Sequence, residues 1–338
     1  MSYPLIILGA GASHDYSSKG KHAPLTNQLI ENDHLRSDLL KKYIGAGSLL
    51  SEIGSKIKKG TRTFEEVLTD FQNEMSGSIE LQQQFVALAF YLQELFEKIS
   101  IEDSSEEVIR KHEFNNYQIL INNIYRYCSG NACIVTFNYD SLFERNLRDK
   151  APSKMSDYIQ NSIKIIKLHG SHNWVYVNHK EYLPHGSIGL SAFQVSYKYP
   201  DFFIKIKDDG RMPEHQPSMK KMIGSENYLT FPAIAVPLTG KDTYICPPAH
   251  IAILERELDN IDRILIVGWK AGDKKLLETI KKHPSFRQCK ILVISGSFQG
   301  AKKIVSIIKT ELETSLIEAY NGNFSDFMGD NLSAEFFK

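Results

Sequence analysis

The chain has no excess of either charge: 40 Lys and Arg stand against 40 Asp and Glu. Without a net field, electrostatics gives no reason to expect nucleic acid or an anionic membrane as a partner. Long apolar runs are also missing. No stretch approaches the roughly 18 consecutive apolar residues that a spanning helix needs. The opening MSYPLIILGAGAS lacks the basic start and long apolar core of a signal peptide, so a cytoplasmic location is expected. Cysteine is scarce. Cys128, Cys133, Cys246 and Cys289 form no CxxC pair, which excludes a zinc ribbon or a disulfide framework and leaves reduced packing residues. Internal repeats, low-complexity tracts and obvious linkers are absent as well.

What is present is apolar content of 42%, enough for the core of one large domain or two modest ones. Short β-branched runs bounded by Gly, Asn or Asp read as buried parallel strands, because a strand covered on both faces loses its polar alternation. Five stand out: Leu5 to Leu8, Cys133 to Phe137, Ile163 to Leu168, Ile264 to Val267 and Ile291 to Ile294, with a sixth around Ser315 to Ala319. Helical patterns at Ser141 to Leu147, His250 to Leu258 and Lys274 to Lys282 separate several of them. This alternation predicts an α/β fold, a Rossmann-like, doubly wound, mostly parallel sheet. The α/β domain is expected over 1–26 and 130–338. Residues 27–129 form a helical insert, marked by Phe64, Val67, Leu68 and Phe71, then Leu81, Phe85, Leu88, Leu92, Leu95 and Phe96. Residues 172–241 form an irregular or small-sheet insert, in which aromatics, Pro and Gly follow no period.

In such sheets ligands lie beyond the carboxyl ends of the strands, so the residues that follow each strand matter most. They are Gly9-Ala10-Gly11-Ala12-Ser13, then Asn138-Tyr139-Asp140 after Thr136, His169-Gly170-Ser171, Gly268-Trp269 with Asp273 nearby, and Ser295-Gly296-Ser297. A strand followed by Gly-x-Gly and a helix lets backbone N–H groups approach a pyrophosphate, although the same pattern also serves as a plain tight turn. Ser141-Leu142-Phe143-Glu144 has the form of a capping box, so Asp140 reads either as helix-terminus polarity or as a ligand contact. Asn138 reads as a turn residue or a polar contact. His169, at the rim of the sheet, suits proton exchange near neutrality or a bond to a loop carbonyl. His169, His172, His179 and His185 are close in sequence but match no standard ligand spacing, so no metal is expected.

Taken together, these residues resemble a known family. Gly-Ala-Gly-Ala-Ser after the first strand, Thr-x-Asn-x-Asp at 136 to 140, Leu-His-Gly at 168 to 170 and a late Gly-rich turn resemble the sirtuin NAD-binding domain. The forms Phe-Asn-Tyr-Asp at 137 to 140 and Leu-His-Gly-Ser at 168 to 171 are similar to the bacterial sirtuin-like NADases of antiphage defence. The two CxxC pairs of sirtuin deacylases are missing, and after the glycine turn the chain reads His14-Asp15-Tyr16-Ser17 in place of Gly-Ile-Pro-Asp-Phe-Arg.

The resemblance implies an enzyme, an NAD+ nucleosidase that cleaves the nicotinamide–ribose bond of NAD as substrate, without metal and without a peptide acceptor. It implies Asn138, His169 and Asp140 as catalytic residues. It implies Gly9, Ala10, Gly11, Ser13, Thr136, Asn138, Asp140, Gly170, Gly268, Asp273 and Ser295 as cofactor-binding residues. A free NADase exhausts its host, so control by a homo-oligomer or by a partner protein of the same defence system is expected. Three other readings stay open: an NAD or ADP-ribose-binding regulatory subunit, a zinc-free deacylase or ADP-ribosyltransferase, and a dehydrogenase. The last would place an acidic residue at a strand end about twenty positions after the glycines, where Glu31 and Asp33 instead read as helix or loop.

Overall fold

A computed structural model describes residues 3–16, 23–31, 34–59, 62–102, 115–148, 151–179, 204–206, 228–236 and 244–338. The strands in chain order are β1 (Pro4–Leu8), β2 (Ala132–Thr136), β3 (Ile163–Lys167), β4 (Gly170–His179), β5 (Ile204–Ile206), β6 (Tyr228–Ile234), β7 (Arg263–Val267), β8 (Lys290–Ile294) and β9 (Ile317–Ala319). Six of them form one parallel sheet in the order β3-β2-β1-β7-β8-β9. The order reverses between β1 and β7, as in a doubly wound Rossmann-like sheet. The six expected runs all contribute to this sheet, with Phe137 and Leu168 falling just past their strands and Ser315 and Leu316 just before theirs. Leu5 to Leu8 are fully buried, which is why β1 reads as an unbroken apolar run.

The expected helices are also present, at Leu142–Arg145, Pro248–Leu258 and Lys274–Lys281. Between β1 and β2 the described chain is helical, with helices His34–Lys42, Ile44–Lys58, Phe64–Glu74, Ile79–Glu102 and Asn116–Tyr127. Thr63 starts one of them with a capping box to Glu66. Its apolar positions Phe64, Val67, Leu68 and Phe71 are buried with Phe85, Leu88, Leu92, Leu95 and Phe96 of Ile79–Glu102 in a core that also contains β1. Glu31 is exposed after a short 3-10 turn, and Asp33 lies outside the described residues. Among the described residues no helix is long and apolar enough to cross a membrane.

Where the sequence shows no period, the described part of 172–241 is ordered: β4 pairs antiparallel with β5 and β6 in a three-stranded sheet. The register shifts between Gly170 and Val175, and that irregularity breaks the alternation that would have marked β4. The rest of that insert lies outside the described residues. The four cysteines are buried and unpaired by disulfide, and burial pushes the Cys133 and Cys289 thiols up to about 12.

Behind β4, His250 is buried beside the Tyr158 and Trp174 rings, with Nε2 3.0 Å from the Met155 carbonyl. A carbonyl only accepts, so Nε2 carries the proton. Burial lowers the His250 pKa from 6.5 to about 4. The unfolded chain therefore takes up a proton that the folded one refuses. Stability from this group is complete above about pH 6.5 and declines as pH falls towards about 4, by up to about 3 kcal/mol. Thermal midpoints measured across that window should fall less steeply for His250→Gln, which keeps a donor for Met155 and cannot titrate. Equal slopes for the variant and the parent chain would exclude this assignment.

Candidate functional site

The reversal point of the sheet is closed by glycine on both sides. Gly9 caps the short helix Ala10–His14, and its N–H donates to Val267 O (2.9 Å), while Gly11 N–H donates to Gly268 O (3.2 Å). A Cβ on Gly9 would sit 2.4 Å from Gly268 O, one on Gly11 2.8 Å from Gly268 Cα, and one on Gly268 2.4 Å from Ala12 N. Gly268 also has φ +63°, a conformation that side chains disfavour. The glycines thus let two backbones touch. The Gly9 and Gly11 amides are already bound to protein carbonyls, and the partly exposed face of the turn is at Ala10 and Gly11.

Buried Ser13, at the far end of the turn, meets the next strand. Asn138 leaves β2 with its N–H donating to Thr136 Oγ1 (3.1 Å), which places the carboxamide beside Ser13. Asn138 Nδ2 donates to Ser13 Oγ (2.9 Å) and to the Tyr117 hydroxyl (3.4 Å), and Ser13 Oγ and Tyr117 Oη are 2.9 Å apart. Tyr117 is fully buried. It stands near the start of helix Asn116–Tyr127, which Asn115 caps through Gln118 N (2.9 Å) while also donating to Tyr16 Oη (3.0 Å). Asn116 then donates to Asp15 O and to Ser325 Oγ (2.8 Å), so this helix end is docked on the residues that follow the glycine turn. Asn138 is 7% exposed, and its Oδ1 is buried with no hydrogen-bond partner among the described residues.

Asp140 is 3% exposed and accepts from Leu142 N (3.1 Å). Burial raises the pKa of its carboxyl group, against the opposing charge of Lys167; the Glu144 charge raises it further, and hydrogen bonds from Ser13 and Leu142 lower it. The expected capping box at Ser141 does not form: the Ser141 side chain caps no amide. Its Oγ lies 3.0 Å from His172 Nε2, and Glu144 is drawn inward to Lys167 (2.6 Å). Lys167 Nζ also donates to Asp140 O (2.5 Å). This buried pair therefore holds the 138–144 loop from below. Lys167 and Glu144 carry a signal in sequence, since a lysine that follows two buried isoleucines at the end of a strand needs a carboxylate to be buried at all.

His169 follows β3, partly exposed, in an aromatic row. Phe137 meets its ring edge-on (4.9 Å between centroids), Tyr139 lies 6.3 Å away at 28°, and Phe137 stacks on Trp269 (5.3 Å, 6°). The His169 carbonyl accepts from Ala235 N (2.8 Å), and the Tyr139 hydroxyl donates to Ala235 O (2.6 Å), so the segment after β6 secures the histidine loop. Phe137 links His169 to the Gly268-Trp269 side of the site.

The remaining expected residues have local structural duties. Gly170, at φ +74°, would place a Cβ 2.0 Å from Ala233 O, so glycine there lets β4 meet β6. Asp273 caps helix Lys274–Lys281 through Leu276 N (2.8 Å) and accepts from the Tyr244 hydroxyl (3.0 Å). Ser295 follows β8 and lies against Gly300. Among the described residues no group of three His, Cys, Asp or Glu converges in a way that could hold a metal ion. His185 lies outside the described residues.

Compared with known proteins, the sequence matches no family model and no curated sequence. Its fold is similar to a Sir2 homologue solved as an NAD complex, at 14% identity and a TM-score of 0.44, over 99% of this chain and 89% of that one. It is similar also to a mutant Sir2 homologue with ADP-ribose, at 14% identity and a TM-score of 0.45, over 99% and 91%. A third is a Sir2 enzyme at 13% identity and a TM-score of 0.42, over 99% and 92%. At these values the likeness carries no argument about chemistry.

Proposed function

We propose that the chain is an NAD+ glycohydrolase, which cleaves the nicotinamide–ribose bond with water as acceptor and yields nicotinamide and ADP-ribose. The observation that carries this reading is the Asn138 carboxamide. It is buried at the carboxyl end of β2, tied through Nδ2 to Ser13 of the glycine turn, and its Oδ1 has no partner among the described residues. A buried acceptor left open in a polar cluster calls for a donor from outside, such as a ribose hydroxyl or a water.

Nicotinamide in NAD+ leaves as a neutral molecule from a cation, so catalysis needs orientation, stabilisation of an oxocarbenium-like ribose and an admitted water. The Gly9–Ser13 turn, open at Ala10 and Gly11, would lie against the pyrophosphate. Asn138 Oδ1 would orient the ribose or the water, and His169 would accept a proton from a ribose hydroxyl. Asp140 would bind the nicotinamide carboxamide, with Thr136 holding the loop that carries both. The shared Phe-Asn-Tyr-Asp and Leu-His-Gly-Ser forms support a role as an NAD-depleting effector of bacterial antiphage defence, controlled by self-assembly or by a partner protein.

A histidine base predicts an acid limb in the rate, within the roughly pH 5 to 8 range where histidine normally titrates. Because protonation of His250 should also lower stability in acid, the limb is to be read on folded protein and compared between His250→Gln and the parent. A flat profile for folded enzyme would remove the base role. Products that change on adding a protein acceptor would favour a transferase.

A further inference from the structure

Resting on that reading, we infer that Tyr117, contributed by the helical stretch before β2, is a positioning residue that fixes the Asn138 carboxamide with its oxygen towards the substrate. Ser13 Oγ and Tyr117 Oη lie 2.9 Å apart, bonded to each other, and both face the NH2 end of the Asn138 carboxamide. Each hydroxyl has lone pairs that can receive an amide hydrogen. Tyr117 stays protonated, since burial first and the Asp140 charge second hold its pKa well above the ordinary value.

The result is a pair of hydroxyl acceptors facing Asn138. The NH2 end of the carboxamide donates to both, at 2.9 and 3.4 Å. The orientation therefore leaves Oδ1 as the group offered outward, and the group it meets must be a donor: the hydroxyl of a ribose or a water. Removing the phenol hydroxyl while keeping the ring leaves the rings of Tyr16, Phe143 and Phe324 packed as before and takes away the bias on the amide.

The test is Tyr117→Phe, alone and combined with Asn138→Ala, read in two ways. In nicotinamide release from NAD+, kcat should fall about ten- to a hundredfold with KM changed by less than about threefold, as for a misplaced catalytic group. Because Tyr117 acts through Asn138, the double variant should be no slower than Asn138→Ala. A loss that merely reflects weaker packing would multiply instead. The second readout needs no activity. In protein labelled with 15N asparagine, the side-chain NH2 pair that disappears in Asn138→Ala should exchange slowly in the parent chain and at least about tenfold faster in Tyr117→Phe.

Wild-type kcat in Tyr117→Phe, a multiplicative double variant, or equal exchange in the two proteins each overturns the inference. If the parent chain releases no nicotinamide, the glycohydrolase reading fails, and the exchange measurement alone decides the orientation. Should Tyr117→Phe not fold, Ser13→Ala removes the other hydroxyl that holds the amide and is read in the same two ways.

Discussion

Asn138→Ala and His169→Ala should each lower nicotinamide release by at least about a hundredfold, the scale of positioning and general-base groups. For Asn138 the fold has little reason to suffer. Alanine removes an unsatisfied buried oxygen, while Ser13 and Tyr117 remain 2.9 Å apart and bonded to each other. The loss should therefore appear in kcat and in kcat/KM alike, as expected for contacts made to the reacting atoms in the transition state. His169→Ala leaves Phe137 stacked on Trp269 and Tyr139 bonded to Ala235, so the aromatic row and its backbone anchor persist without the imidazole. Initial rates on proteins shown by circular dichroism to be folded decide the matter. Near-parental turnover in either variant removes that residue from the mechanism.

The second large effect concerns the loop that carries Asn138. Lys167 and Glu144 are 1% and 3% exposed and 2.6 Å apart, and Lys167 also binds the Asp140 carbonyl. Replacing one member strands a charge in the interior, at a cost of about 3–5 kcal/mol, whereas replacing both with apolar groups of similar size is often close to neutral. Lys167→Met should accordingly lower the thermal midpoint severely, and Lys167→Met with Glu144→Leu should recover most of it. Activity should not return with stability, because the double variant still lacks the bond from Lys167 to Asp140 O that holds the loop. Equal midpoints for Lys167→Met and the parent would contradict the pairing; full activity in the double variant would show that the loop holds itself.

The main sheet was legible in the sequence for a plain reason: parallel strands buried on both faces are mostly apolar, so β1 appears as an unbroken run, β2, β7 and β8 as runs with one polar residue at an end, and β3 as isoleucines between lysines. The helices between β1 and β2 were legible through their spacing, and Thr63 with Glu66 marks a start. The residues after each strand could be listed as site candidates because their place follows from the sheet alone. Their partners could not. Tyr117 lies 104 positions from Ser13, and its helix is brought there by Asn115, Asn116, Tyr16 and Ser325, a set with no pattern along the chain. Ser141 and Glu144 show the limit from the other side. Their spacing fits a capping box, yet a buried lysine takes the carboxylate and His172 meets the hydroxyl, tertiary contacts that local spacing does not reveal. The small sheet was hidden for a similar reason, since β4 pairs with segments tens of residues downstream and shifts register near Gly170.

The central claim is that this chain breaks the nicotinamide–ribose bond of NAD+. The most direct measurement incubates the purified protein with NAD+ alone and follows nicotinamide and ADP-ribose by chromatography, with binding read in the same sample from tryptophan fluorescence. Of the two tryptophans, Trp174 is fully buried and Trp269 stands in the aromatic row with His169. The predicted result is equal amounts of the two products, no acceptor required, a fluorescence change that saturates with NAD+, and release at least about a hundredfold slower from Asn138→Ala or His169→Ala. NAD+ left intact would contradict the claim, and unchanged fluorescence at every concentration would contradict binding as well.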